Sequence, residues 1–133
     1  MPVQREFDHA DHNEAVAKKI HADKSSTAWV IIISFYSALH YVRGKIFPFN
    51  ETINGKTVTV QSFDGYCVIH NGVKKSKHDK LYDLVTKHLP SIQAKYKWLL
   101  DSSITARYND YHFDPSFSQK SIDYLDAIKK ECK

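Results

Sequence analysis

The longest apolar segment of the chain runs from Ala28 to Val42, with the sequence AWVIIISFYSALHYV. Its β-branched stretch Val30–Ile33 would suit a strand equally well if taken alone. The apolar pattern continues to about Ile46, which exceeds an ordinary strand, and it repeats with a helical period. We therefore predict a core helix over residues 28–46. A 15-residue apolar run with Ser34, Ser37 and His40 inside it is too short to span a membrane, which needs about 20 apolar residues.

Four further helices are predicted from capping residues and apolar stripes. Residues 8–23 consist of good helix formers, with Asp8 as the expected cap. Ser76 precedes a segment in which Leu81, Leu84 and Val85 share a face, and this segment forms the third predicted helix. The last two helices are expected to start at Pro90, ending near Arg107 or Tyr108, and at Asp114-Pro115, continuing through Ile128.

Residues 47–75 have a different pattern. Pro48 ends the preceding helix, Asn54-Gly55 is a hairpin-turn dipeptide, and Lys56–Val60 alternates polar with apolar side chains. We predict a short β-hairpin or loop excursion here, with the core lying elsewhere. The fold class is therefore all-α, with five helices around one core, in a single domain over residues 1–133.

Composition narrows the class of protein. The chain has 133 residues, 42% of them hydrophobic, and a net charge of +4, which permits an anionic partner without requiring one. The two cysteines stand far apart without a zinc-type spacing, and the first residues lack an apolar signal segment, so we expect a reduced, cytoplasmic protein that has no contact with a membrane. No GxGxxG, GK[ST], HExxH or GxSxG motif is present.

The histidines His9 and His12 have a spacing that could bind a metal ion. The two side chains are three positions apart on a predicted helix, within reach of one ion. No matching ligand pair can be identified elsewhere in the sequence, so we expect His9 and His12 to be ordinary surface residues. We predict no metal and no cofactor.

The segment Ala106–Pro115 carries the candidate chemistry. Arg107 is a permanent cation, and His112, five positions later, titrates near neutrality at the break between two helices. An arginine can neutralise charge that grows on a phosphate, while a histidine moves the proton of an attacking or departing oxygen. The alternative is structural: Arg107 as a salt-bridge partner of Asp110, and His112 as a helix-end residue.

The motif Arg107-(Tyr108-Asn109-Asp110-Tyr111)-His112 resembles that of the HEPN superfamily of small helical domains, in which an arginine is followed after four to six residues by a histidine. The resemblance extends over about residues 8–130, through the helix WVIIISFYSALHYVR and the helix ending in Ala106-Arg107-Tyr108. It implies a HEPN-like four- or five-helix bundle and a homodimer. In active members it implies metal-independent RNA cleavage that leaves a 2′,3′-cyclic phosphate, often in toxins or defence effectors.

Two hypotheses of function follow from this resemblance. The first is an endoribonuclease of toxin or defence type with Arg107 and His112 at a dimer interface, acting on RNA and controlled by an antitoxin or a nucleotidyltransferase partner. The second is a non-catalytic HEPN-like module that binds a partner protein, a nucleotide or RNA. It is favoured by Tyr108, which stands where active members usually carry a small polar residue.

Several further residues are candidate substrate contacts. Aromatic side chains can stack on unpaired bases, lysines can contact phosphates, and a histidine in the apolar helix could lie beside the Arg107/His112 pair. For each of them packing or solvation is the alternative reading. The candidates are Tyr108, Asn109, Tyr111, His40, Lys74, Lys75 and Lys77.

Overall fold

The structure is a computed structural model that describes residues 2–108 and 113–133. Six α-helices and a two-stranded antiparallel sheet make up the described part of the chain. In chain order they are α1 (Pro2–Asp23), α2 (Thr27–Ile46), β1 (Phe49–Ile53), β2 (Lys56–Val60), α3 (Phe63–Ile69), α4 (Lys77–His88), α5 (Gln93–Tyr108) and α6 (Ser116–Cys132), and a 3₁₀ turn (Pro90–Ile92) leads into α5.

The prediction of a mostly helical fold is confirmed, with two differences in detail. Helix α1 begins at Pro2 instead of at Asp8, whose side chain accepts a hydrogen bond from Gln4 Nε2 within the helix (2.8 Å). The extension is stabilised because Phe7, the residue directly before Asp8, packs against the core. The second difference is the short helix α3, which lies inside the segment predicted as a hairpin or loop.

The hairpin prediction is confirmed at residues 49–60. Strands β1 and β2 pair from Phe49 opposite Val60 to Ile53 opposite Lys56. The turn between them is Asn54-Gly55, with φ of 51° and 79°. Both angles are positive, which is the conformation that a tight two-residue hairpin turn requires and that Asn and Gly adopt at least cost.

Helix α2 lies at the centre of the core and packs against α1, α4, α5 and α6. Twelve of its twenty residues are buried, including Ser37, whose hydroxyl donates to the carbonyl oxygen of Ala10 on α1 (2.7 Å). None of the helices in the described ranges has the length and apolar character needed to cross a membrane.

The expectation that the core lies outside residues 47–75 is wrong. Phe47, Val60 and Phe63 are all at least 94% buried and belong to the main cluster of core side chains. The alternating pattern of β2 turns Val60 inward, and the first residue of α3 then places Phe63 beside Phe47, with ring centroids 6.3 Å apart. The excursion therefore contributes side chains to the core of the bundle.

Candidate functional site

Arg107 lies in the last turn of α5 and is held there by two hydrogen bonds. Its Nη1 donates to the hydroxyl oxygen of Tyr36 on α2 (2.7 Å), and its Nε donates to the carbonyl oxygen of Ser103 one turn earlier (3.4 Å). The guanidinium also lies over the rings of Tyr36 and Tyr108, at 5.5 and 5.2 Å from their centroids. These contacts fix a cation at the junction of α2 and α5.

The guanidinium keeps donors that these contacts do not use. Arginine carries five N–H donors, and two of them are engaged by Tyr36 and Ser103. Within residues 2–108 and 113–133, no carboxylate lies at ion-pair distance from Arg107. Asp110, the alternative salt-bridge partner, lies outside the described residues. The remaining N–H groups can therefore bind the oxygens of a phosphate.

His112, Asn109 and Tyr111 also lie outside the described residues. The convergence of Arg107 and His112 on one site stays a prediction, as do the substrate contacts of Asn109 and Tyr111.

A second histidine, His78, lies on α4, which packs against both α2 and α5, and it was missed by the sequence analysis. It lies in the first turn of α4, which is capped by Ser76, whose hydroxyl accepts from the amide of Asp79 (3.1 Å). Its half-buried imidazole meets the ring of Phe35 edge to face, at 5.5 Å. Burial, and then the positive charge of Arg107, lower the pKa of His78. The neutral imidazole is therefore favoured, which is the form that accepts a proton.

We refer to Tyr36, His78, Arg107 and Tyr108 as the Arg107 cluster. Tyr108 is 73% exposed although it lies against the guanidinium of Arg107. An exposed aromatic ring beside a fixed cation is an arrangement that can stack on an unpaired base while the cation contacts its phosphate. The placement of Tyr108 is thus compatible with its predicted role as a substrate contact.

The three candidate lysines differ in their surroundings. Lys75 Nζ donates to Asp83 Oδ2 at 2.7 Å, and this contact raises the pKa of Lys75. Both partners are about half exposed, so the pair stabilises the fold little. Lys74 and Lys77 are exposed, and Lys77 directly precedes His78 at the start of α4. Of the three, Lys77 is the one next to the Arg107 cluster in sequence.

His40 makes its contacts away from the Arg107 cluster. Its Nδ1 lies 3.1 Å from Glu6 Oε2 on α1, and its ring stacks on His9, with centroids 5.1 Å apart. The contact with Glu6 agrees with the alternative interpretation, in which His40 is a structural residue satisfied by a hydrogen bond. In the ranges that the structure describes, no group of three His, Cys, Asp or Glu side chains is arranged to hold a metal ion.

Comparison with known proteins adds no further assignment. No family model matches the chain, and neither the curated proteins nor the solved structures contain a significant match.

Proposed function

We propose that this chain is a HEPN-like, metal-independent endoribonuclease of toxin or defence type, and that the Arg107 cluster is part of its active site. The observation that carries the proposal is the geometry of Arg107. Its guanidinium donates to Tyr36 and Ser103 and keeps N–H donors that no residue in the described ranges uses. The positive charge of Arg107 also contributes to the lowered pKa of the half-buried imidazole of His78. A fixed cation and a neutral imidazole can together supply charge stabilisation and proton transfer for a phosphate without a metal.

The proposed reaction is attack of an RNA 2′-oxygen on its neighbouring phosphorus. The bond between the 2′-oxygen and phosphorus forms while the bond between phosphorus and the 5′-oxygen breaks. A base takes the 2′-hydroxyl proton, and an acid gives a proton to the departing 5′-oxygen, so the products are a 2′,3′-cyclic phosphate and a 5′-hydroxyl. Arg107 stabilises the additional negative charge on the phosphoryl oxygens in the transition state.

Two proton carriers are needed for this reaction. His112, five positions after Arg107 in the sequence, is the carrier predicted from the motif. His78 is the second, because its lowered pKa keeps it in the base form near neutral pH. Tyr36 is a positioning residue, since it acts on the reaction through its hydrogen bond to Arg107.

The experiment is cleavage of a labelled single-stranded RNA in the presence of EDTA. We expect the wild-type protein to cut, and we expect His112→Ala and Arg107→Lys to be at least about 100-fold slower, because lysine keeps the charge but loses the planar fork that grips two oxygens. His78→Gln should be slowed by about 10- to 100-fold. His88→Gln is the matched control, since His88 is also half-buried with a lowered pKa but lies beside Phe49.

The proposal is contradicted if wild type and His112→Ala show the same trace activity, which would then be contamination. It is equally contradicted if His88→Gln loses as much activity as His78→Gln, because the loss would then reflect the fold and not the site.

The second candidate is a non-catalytic HEPN-like module that binds RNA. The exposure of Tyr108 beside Arg107 favours it, because stacking and charge suffice for binding without proton transfer. Anisotropy with an uncleavable 2′-O-methyl RNA separates the two. Tyr108→Ala should weaken binding by roughly 5- to 150-fold if a base stacks there, since one such contact contributes about 1–3 kcal/mol. Binding that depends on Tyr108, with no cutting of ordinary RNA, would establish this second function.

The proposal includes a homodimer in the cytoplasm. Trp29 at the start of α2 is 56% exposed, and Ile104 on α5 is 38% exposed, one turn before Tyr108. Apolar side chains that are exposed on α2 and α5 are suited to contact with a second copy of the chain.

A further inference from the structure

A second cluster of charged side chains lines a cavity of about 580 Å³ between α1, α2 and the start of α3. This volume falls within the range of sites that bind small molecules. Polar side chains from these three helices make up most of its lining. No lining residue belongs to the Arg107 cluster. We call it the Glu6 cavity, and its charged and titratable residues are Arg5, Glu6, His9, His40, Arg43 and Asp64.

One carboxylate serves two partners at the centre of this cavity. Glu6 Oε2 lies 3.2 Å from Arg43 Nε and 3.1 Å from His40 Nδ1. The Glu6 side chain is 18% exposed, so the group is largely withdrawn from water. The guanidinium of Arg43 also lies over the ring of Phe63, with its carbon 5.6 Å from the ring centroid. A cationic centre is therefore built into the fold, with a carboxylate as its internal anion.

The cavity carries more positive or protonatable groups than this one carboxylate can neutralise. Arg5 and His9 line the same space, and within the described residues neither has a carboxylate at ion-pair distance. His9 stacks on His40 with an angle of 23° between the rings. The remaining acidic residue, Asp64, is exposed at the rim. Such a set favours an anion with more charge and more acceptor oxygens than a carboxylate has.

Other ion pairs of α1 join it to a neighbouring helix without the shared oxygen seen at Glu6. Lys129 on α6 donates to Glu14 at 2.8 Å, and the last residue, Lys133, donates to Asp11 at 2.6 Å. Neither of these lysines lines the Glu6 cavity. At Glu6, by contrast, two partners share one oxygen while two further basic side chains surround an open space.

We propose that the Glu6 cavity binds a phosphate group, which takes the place of the Glu6 carboxylate between Arg43 and His40. Arg5 and His9 supply additional donors to the same group. A phosphate can accept a forked pair of hydrogen bonds from an arginine and still has oxygens left for the imidazoles. Glu6 then acts as an internal competitor that keeps the cationic centre paired when no ligand is bound.

This inference does not rest on the proposed ribonuclease activity. The phosphate could belong to a small phosphorylated molecule or to the RNA backbone, and its chemistry is the same in both cases. The second source is made reasonable by position, because His40 follows Tyr36 by one turn of α2, about 6 Å along the helix axis. A strand that contacts Arg107 would then reach the Glu6 cavity with a neighbouring part of its backbone.

The test is a titration of the ¹⁵N-labelled protein with inorganic phosphate, followed by the amide signals of residues 5–9 and 40–43. We expect saturable shifts in these two segments. Arg43→Gln should weaken binding by at least about tenfold, and Arg5→Gln should weaken it by several fold. Arg5→Gln leaves the contacts of Glu6 with Arg43 and His40 intact, so it keeps the test valid if Arg43→Gln is poorly folded. Glu6→Gln should bind phosphate several-fold more tightly, because the competing charge is gone.

Lys45→Gln is the matched control for charge. Lys45 shares the last turn of α2 with Arg43 but lies on the side of α6, where its charge acts on Cys132. The affinity of the Lys45→Gln variant for phosphate should stay within about twofold of that of the wild type. Uncleavable 2′-O-methyl RNA distinguishes the sources, since a backbone phosphate shifts the same amides and a small-molecule site responds to inorganic phosphate alone.

The inference is overturned if phosphate shifts no amide in the two segments, or if Lys45→Gln weakens binding as much as Arg43→Gln. It is also overturned if Glu6→Gln binds phosphate no more tightly than wild type, since Glu6 would then not compete for the position.

Discussion

Removing the hydroxyl group should change the stability of the protein in opposite directions at two buried tyrosines. Tyr96 on α5 and Tyr41 on α2 are both fully buried. The hydroxyl of Tyr41 donates to Asp11 Oδ1 at 2.5 Å, whereas the hydroxyl of Tyr96 has no hydrogen-bond partner among the described residues. Tyr→Phe removes the hydroxyl at either position and leaves the aromatic ring in place.

The expected magnitudes follow from these contacts. An unsatisfied buried hydroxyl costs about 1–3 kcal/mol, so Tyr96→Phe should raise the free energy of unfolding by about 1 kcal/mol or more. The edge-to-face contact of Tyr96 with Phe35, at 5.8 Å, is retained. Tyr41→Phe should lower the free energy of unfolding by about 1–2 kcal/mol, because a hydrogen bond to a charged acceptor is lost while Asp11 keeps Lys133 and partial access to water.

The assay is urea unfolding of the wild type and the two variants, followed by far-UV circular dichroism. The two variants should differ by at least about 2 kcal/mol, with Tyr96→Phe above and Tyr41→Phe below the wild type, and with equal slopes against urea. If Tyr96→Phe is destabilised by more than about 0.5 kcal/mol, its hydroxyl has a partner and the reasoning fails.

Further predictions concern pH, thiol chemistry and assembly. Burial is the main reason that the pKa values of His78 and His88 lie below the ordinary value of 6.5, so the unfolded chain binds protons more readily than the folded one. The free energy of unfolding should therefore fall as the pH drops below about 6.5. If urea unfolding of His88→Gln shows the same dependence of this free energy on pH as the wild type, the prediction is contradicted. Burial raises the pKa of the Cys132 thiol to about 12, so a thiol reagent should label Cys67 in the native protein and Cys132 only after unfolding. Rapid labelling of the native Cys67→Ala variant, in which Cys132 is the remaining thiol, would contradict this. Light scattering at micromolar concentration should report a dimer, and a clean monomer would contradict both the proposed dimer and the location of Arg107 and His112 at its interface.

Local signals in the sequence predicted local features well. Ser76 caps α4, Asn54-Gly55 forms the hairpin turn, and Asp114 accepts from the amide of Ser116 (2.8 Å) at the start of α6. Each of these depends on groups within three positions of one another, so the residue type determines the geometry.

Features that depend on distant residues could not be predicted in the same way. No helix was predicted within residues 47–75, yet Ser62 caps α3 there and burial of Phe63 stabilises this short helix. His78 and Arg107 are 29 positions apart in sequence, and only the packing of α4 and α5 around α2 brings them within electrostatic reach. The Glu6 cavity likewise requires the contact of α1 with α2.

The role that we propose for Arg107 is to stabilise a phosphorane during metal-independent RNA cleavage. Mass spectrometry of the ends formed from single-stranded RNA in EDTA tests this role, with wild type and Arg107→Lys measured side by side. We expect 2′,3′-cyclic phosphate ends with wild type and almost none with Arg107→Lys, because an ammonium cannot grip two phosphoryl oxygens. Cleavage that requires a divalent ion, ends that carry a 3′-hydroxyl, or equal yields from the two proteins would contradict it.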